Sequence, residues 1–311
     1  MKKYLVILSL VILSACSKST TDTTPPPPPP PATPVVSFTY SINADQYPVT
    51  FNFANTSTGY TSYTWSLGNA SSTATSPSGL YNTSGIKYTI KLVATNGTKT
   101  DSALNDITIP FLNKSVRMFY LIPSDKTYSQ AYYDGIVNNV NTVRNWYNSV
   151  LGKTFKLNNP LIQVVNSTNP SSDYFNVNPS TTDPQAYFLY NSLNYLNILG
   201  YRNTGEDANF IYNIFVPVAS GVGYGIWTIG GLRAAGVPDP YLLDLISTNT
   251  AQKNIGMGLW CHELGHSFGL NHPAIADPAT IMTTPGGIQV WPVTGFLPYE
   301  KLTLLADGFM F

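Results

Sequence analysis

All three histidines of this 311-residue chain fall within one short segment, WCHELGHSFGLNHP. His262 and His266 are four residues apart, so on a helix they lie on the same face, where both imidazoles can bind one ion. Gly269 can adopt a positive φ, end the helix and turn the chain so that His272 returns to the same ion. Glu263 lies beside the metal-binding face, where its carboxylate can hold a water molecule and accept its proton.

These residue types predict an open metal site. Three histidine nitrogens leave one position for water, which is typical of catalytic Zn²⁺, because structural zinc sites fill all four positions with protein ligands. We therefore predict one catalytic zinc ion bound by His262, His266 and His272, with Glu263 as the general base. The alternative is a helix that carries three unrelated core histidines.

The pattern H-E-x-x-H-x-x-G-x-x-H resembles the zinc signature of the metzincin peptidases, and every fixed position of it is present. The resemblance continues in TIMTTPGG, where Met282 stands in the place of the family's Met-turn. It implies that Met282 lies beneath the metal. The spacing from His272 to Met282 and the proline after the turn are most similar to the matrix-metalloproteinase branch. Thr284 stands where astacin-like and serralysin-like members have a tyrosine, so no tyrosine ligand is expected.

The elements around the motif predict an α/β (α+β) metzincin-like catalytic domain with a mixed sheet and a zinc-site helix, over residues 113–311. Apolar runs predict strands at residues 116–122, 161–165 and 210–218, and amphipathic patterns predict helices at 129–151 and 183–199. The zinc-site helix is predicted to begin near Thr250, as the third helix, and residues 295–307 are predicted to form a C-terminal helix. Residues 221–231, rich in glycine, are interpreted either as lying near a substrate-binding edge strand or as a flexible loop.

A different pattern occupies residues 35–109. Period-two alternation predicts strands at residues 36–40, 49–53, 62–67 and 88–95, separated by turn-rich stretches, which is typical of a small all-β immunoglobulin-like sandwich. The segments YTWSLGN and YTIKLVATNG resemble those of the PKD module. Ser66 and Asn69 stand where that module often has aspartate, so no calcium-binding role is expected. The module is interpreted as a spacer.

The N-terminus has the pattern of an export signal. Lys2 and Lys3 precede an apolar run, and LSAC, which ends at Cys16, resembles the lipobox of bacterial lipoproteins. The resemblance implies a signal peptide over residues 1–15, lipidation of Cys16, and an exported protein anchored to the bacterial cell envelope, at the outer membrane or cell surface. Residues 16–34 form a Ser/Thr/Pro-rich linker, in which seven consecutive prolines favour extended polyproline II. Cys261 is the one other cysteine, and we expect it to be a small buried residue.

Charge excludes one class of partner. Sixteen basic and sixteen acidic residues give a formal net charge of zero, so nucleic-acid binding is not expected. The predicted partners are a peptide or protein substrate and, through the lipid anchor alone, a membrane; we expect a monomer. The sequence thus predicts a zinc-dependent endopeptidase. The alternative is a surface-anchored binding lipoprotein with a structural or inactive zinc site.

Overall fold

A computed structural model describes residues 33–44, 48–228, 231–284, 288 and 290–311. Cys16, the predicted signal peptide and all but the last two residues of the predicted linker lie outside the described residues. The described chain forms an N-terminal β-sandwich followed by a mixed α/β part. No helix within these ranges is long and apolar enough to cross a membrane.

The β-sandwich consists of two antiparallel sheets. Its strands are β1 (Phe38–Asn43), β2 (Val49–Asn55), β3 (Ser62–Ser66), β4 (Ser71–Ser72), β5 (Ser78–Tyr81), β6 (Lys87–Thr95) and β7 (Thr100–Thr108). One sheet has the order β1-β2-β5 and the other β4-β3-β6-β7. Alternate side chains face inward, and the rings of Phe51, Trp65 and Tyr81 are fully buried between the sheets. The four predicted strands are present, at bounds shifted by a few residues.

The second part is built on a five-stranded mixed sheet. Its strands are β8 (Ser115–Ile122), β9 (Lys156–Asn166), β10 (Phe210–Val216), β11 (Tyr224–Trp227) and β12 (Arg233–Pro238), in the order β11-β12-β10-β8-β9. β9, β8, β10 and β12 are mutually parallel, whereas β11 is antiparallel to β12 and forms one edge. All residues of β8 and β10 are buried, as expected for central strands covered on both faces.

Helices cover both faces of this sheet. They are α1 (Gln130–Leu151), α2 (Tyr187–Ile198), α3 (Asp239–Leu245), α4 (Thr250–Ser267) and α5 (Pro298–Ala306). Side chains of α1, α3, α4 and α5 share one hydrophobic core, and those of α2 belong to a second core on the opposite face. α1 begins after Ser129, whose hydroxyl accepts a hydrogen bond from the Tyr132 amide, and ends at Gly152, which has a φ of 72°.

Three expectations need correction. The zinc-site helix is the fourth α-helix, because the short α3 precedes it. The C-terminal helix is shorter than predicted, since Pro298 occupies its first turn and sets its start. Residues 221–231 are not simply a flexible loop: they include the edge strand β11.

The two parts of the chain meet at a packed joint. Ser84 of the sandwich donates its amide to the carbonyl of Asn159 in β9 at 2.9 Å, and the side chain of Asn159 donates back to the Asn82 carbonyl. Leu112 is buried in the sandwich core, while Phe111 lies edge-on to Phe210 of β10, with ring centroids 6.0 Å apart. Residues 110–112 therefore connect the two cores by direct packing.

Candidate metal centre

Helix α4 is fixed at both ends and in its middle. Asn249 caps its N-terminus by accepting hydrogen bonds from the amides of Ala251 and Gln252. In the helix, the Trp260 indole donates to the side-chain oxygen of Asn213 on β10 at 2.5 Å, and Tyr147 of α1 donates to the Cys261 carbonyl at 2.8 Å. Asn213 and Tyr147 are both buried, so these two hydrogen bonds fix the position of α4 relative to the sheet and to α1. Cys261 itself is fully buried, as expected.

The turn after α4 has the geometry expected from Gly269. Its φ is 97°, its amide donates to the His266 carbonyl at 2.9 Å, and the Leu270 amide donates to the Gly265 carbonyl at 3.0 Å. This pair of hydrogen bonds is a Schellman motif, which ends the helix and reverses the chain. The reversal brings His272 back over the helix.

The three histidines converge on one point. The Nε2 atoms of His262, His266 and His272 form a triangle with three sides of 3.1 Å. Tetrahedral zinc with Zn–N bonds of 2.0–2.1 Å places its nitrogen ligands about 3.3 Å apart, so the triangle fits such an ion with little adjustment. No other described group of three or more His, Cys, Asp or Glu side chains has this convergence.

The protonation of two rings suits metal binding. The Nδ1–H of His262 donates to the Ile281 carbonyl at 2.7 Å, and that of His266 donates to the Leu270 carbonyl at 2.8 Å. These bonds place the proton on Nδ1 and leave the Nε2 lone pair free. Burial, together with a smaller effect of the neighbouring imidazoles, lowers the pKa of His262 to about 3 and that of His266 to about 4, against an opposing effect of the two backbone hydrogen bonds. Both rings are therefore neutral at pH 7.

Glu263 is buried beside this triangle and is not one of the converging ligands. Burial raises the pKa of its carboxyl to about 8, and a hydrogen bond from the Gly225 backbone opposes that rise. A carboxyl with a pKa near neutrality can exchange a proton with a substrate or water under physiological conditions. The base predicted from the sequence thus lies between the metal-binding face and the edge strand β11.

Two glycines allow β11 to approach α4 closely. A Cβ at Gly225 would lie 2.4 Å from the Glu263 carbonyl oxygen, and one at Gly223 would lie 2.8 Å from the Glu263 carboxylate. Any side chain at either position would push the strand away from the helix. In the sequence, the alternating glycines of GVGYG indicate such a close approach, because glycine within a strand often marks a place where another backbone comes near.

Met282 packs against α4, the helix that carries His262 and His266. It is fully buried, and its sulfur packs where Gly265 leaves space on α4. Its neighbour Ile281 provides the carbonyl that orients His262. Thr284 lines the cleft above the histidines.

A cleft of about 490 Å³ opens over the three histidines and Glu263. Beyond these four it is lined by Asp183, Gln185, Val222, Gly223, Tyr224, Gly225, Tyr241, Leu259, Thr284 and Ile288. Asp183, Tyr224 and Tyr241 were not predicted as site residues. They come from the turn that precedes α2, from β11 and from α3, and their sequence neighbourhoods carry no motif that indicates a common site.

Comparison with known proteins gives distant structural similarities. No protein-family model matches the chain, and no curated protein matches it in sequence. The PKD1 domain of the Vibrio cholerae metalloprotease PrtV is 25% identical over 25% of this chain and 99% of that domain, with a TM-score of 0.22. The PKD1 domain of Vibrio anguillarum Epp is 24% identical over 25% of this chain and 95% of its own length, also with a TM-score of 0.22.

A longer stretch of the chain is similar to another solved structure. Archaemetzincin from Methanopyrus kandleri is 15% identical over 62% of this chain and 96% of its own length, with a TM-score of 0.36. These TM-scores are all low, so the function proposed below is inferred from the geometry of the metal centre and its cleft.

Proposed function

We propose that this chain is a zinc-dependent endopeptidase of the metzincin type. The observation that carries the proposal is the equilateral Nε2 triangle of His262, His266 and His272 beside the buried carboxyl of Glu263, at the floor of an open cleft. Zinc bound there supplies a Lewis acid that polarises the scissile carbonyl, lowers the pKa of a water to about 7 and favours the ionised form of Glu263.

The chain's own residues perform the remaining tasks. Glu263 orients the attacking water, accepts its proton and delivers that proton to the leaving amine. β11 forms an edge of the sheet within the described part of the chain, and its backbone donors and acceptors can pair with an extended peptide. Because Gly223 and Gly225 bring β11 against α4, a peptide bound there passes directly beside Glu263.

We infer two finer features on the same basis. Met282 serves as the Met-turn residue beneath the metal, supported by its burial against Gly265. The matrix-metalloproteinase-like branch is supported by Thr284, which lines the cleft where other branches have a tyrosine. We also infer export and lipid anchoring through Cys16, on the lipobox resemblance.

Substituting the base and one ligand tests this function. Glu263→Gln should retain about one zinc per chain and lose peptidase rate by roughly 100-fold or more, because it removes the proton acceptor and keeps the ligands. His266→Ala should lose both the metal and the rate, together with part of the free energy of unfolding. Zinc content by elemental analysis, peptide hydrolysis and thermal unfolding are measured for each.

The control is Glu206→Gln, an equal change of charge at an exposed residue outside the cleft. It should match wild type in metal content and in rate. The alternative of a binding lipoprotein predicts that no variant, wild type included, hydrolyses any peptide of a diverse library. A Glu263→Gln protein with full zinc and undiminished hydrolysis would refute the mechanism.

A further inference from the structure

Asp183 is a cleft residue that the proposed mechanism does not use. It precedes the 3₁₀ turn Pro184–Ala186, and one of its oxygens accepts the Gln185 amide at 2.9 Å. Its other oxygen accepts the hydroxyl of Tyr224 at 2.8 Å. These two bonds fix the carboxylate at the cleft wall and leave lone pairs on both oxygens available to a ligand.

The negative charge of Asp183 has no cationic partner in the described part of the chain. The ion pairs found there join other residues, and none of the residues that line the cleft is Lys or Arg. Tyr224 does not change this balance, because burial and the hydrogen bond to Asp183 raise its pKa to above the physiological range and keep it neutral. Asp183, Tyr224 and Glu263 line the same cleft.

The lining of the cleft that contains Asp183 is partly apolar. Val222, Leu259 and Ile288 contribute aliphatic side chains to the cleft. A cleft that combines apolar side chains with a fixed carboxylate complements a side chain with an aliphatic stem and a cationic head. Lysine and arginine have that construction, whereas an acidic side chain would meet like charge.

We propose that Asp183 is a specificity-determining residue that selects peptides with a Lys or Arg side chain near the cleaved bond. This inference rests on the proposed peptidase function for its biological meaning. The recognition itself depends on the cleft alone. Binding and cleavage are therefore measured separately.

The experiment uses two series of one peptide that the protein cleaves, or binds if none is cleaved. A single lysine is moved through four positions on each side of the central bond, and the second series carries norleucine at the same positions. Norleucine retains the aliphatic stem and removes the charge. Cleavage is measured as kcat/KM with the wild-type protein, and affinity is measured by titration of the Glu263→Gln protein.

At one position, kcat/KM and affinity should both be about tenfold higher for the lysine peptide than for the matching norleucine peptide. A tenfold ratio is the size expected for one charge contact near a protein surface. Asp183→Asn should reduce that ratio to about one. Asparagine can still cap the turn and exchange a hydrogen bond with Tyr224, so the substitution removes charge and keeps the local structure. The matched control is Asp173→Asn, a half-buried aspartate outside the cleft, which should leave the ratio at its wild-type value.

The outcomes separate the two proposals. A lysine preference in binding without any cleavage would refute the peptidase function and support the role of Asp183. Cleavage with equal ratios for lysine and norleucine at every position would overturn the role of Asp183 and leave the peptidase function standing. A lysine preference that persists in Asp183→Asn would also overturn the role of Asp183, because another group would then have to recognise the lysine charge.

Discussion

Because Gly225 has no side chain, β11 can lie close to α4 beside the metal centre. Its backbone lies so close to α4 that a methyl group there would overlap the Glu263 carbonyl and the His266 Cβ, at 2.4 and 2.6 Å. Both contacts are with residues of the metal centre. The strand and the helix cannot keep their present separation with any larger residue at this position.

Gly225→Ala should therefore weaken both the fold and the reaction. Overpacking of this kind costs about 1 to 3 kcal/mol in the free energy of unfolding, and a shift of about 1 Å at a catalytic group lowers the rate by roughly 100-fold. Denaturant unfolding and kcat/KM measure the two effects. Gly221→Ala is the control, since a Cβ there meets no atom within 4 Å. Equal behaviour of the two variants would show that β11 does not press on α4.

At the residue scale, the sequence predicted the convergence of the three histidines better than the residues that surround them. The histidines and Glu263 could be predicted because helical periodicity converts their spacing directly into a shared face. Gly269 could be predicted because its conformational freedom is local. Asp183 and Tyr224 could not, since they are separated by about 40 residues and meet only through the topology of the sheet.

Helix α5 supports the metal centre from a distance. The buried carboxylate of Glu300 accepts the Thr280 hydroxyl at 2.6 Å and the Leu297 amide at 2.7 Å. The Thr280 hydroxyl accepts the Met282 amide at 3.1 Å, and the Ile281 carbonyl between them orients His262. One side chain of α5 thus fixes the backbone segment that aligns a predicted zinc ligand.

Glu300→Ala should weaken zinc binding without touching any ligand. It removes the acceptor of the buried Thr280 hydroxyl, which costs about 1 to 3 kcal/mol, and that of the part-buried Leu297 amide. Loss of such an outer contact lowers metal affinity by roughly 10- to 100-fold. Competition with a chelator measures the zinc affinity, and thermal unfolding measures the stability. Glu300→Gln keeps an acceptor oxygen and should lie between the wild type and the alanine variant. Unchanged zinc affinity in Glu300→Ala would show that α5 does not position His262.

At the element scale, long amphipathic segments could be predicted and short or atypical ones could not. α1 was found close to its bounds because many turns repeat the same apolar face. α4 is buried on all sides over residues 256–265, and its histidine motif rather than an apolar face indicated the helix. β7 was missed because most of its residues are polar and exposed, and β12 because RAAGVP lacks alternation. α3 has seven residues, too few for a period to be recognised.

The whole molecule is proposed to work at a membrane surface, held by the lipid on Cys16. Replacement Cys16→Ser should move the protein from the membrane fraction to the soluble fraction, because multiple acyl chains provide the anchor and serine does not accept them. Membrane fractionation with detection of the chain is the measurement. Peptidase activity of the released protein should remain, since residue 16 is remote in sequence from the catalytic segment. Equal membrane retention of both forms would exclude lipidation at this residue.

The two edges of the five-stranded sheet differ in how far they are available to pair with another strand. Along β9, Pro160 lacks an amide hydrogen, a register irregularity interrupts pairing with β8, and the sandwich donates the Ser84 amide to Asn159. The end of the chain also pairs there, with Thr154 and Phe311 exchanging hydrogen bonds of 3.2 and 2.8 Å. β11 has no further strand on its outer side within the described ranges.

This asymmetry bears on aggregation. Fibrous growth by strand addition requires every molecule to accept a neighbour at one edge and to offer a second edge to the next. Here the β9 edge is obstructed, so two folded molecules that met through β11 would form a closed pair with no edge left for a third. The protein can thus keep one strand permanently exposed for pairing without exposing itself to polymerisation through this sheet.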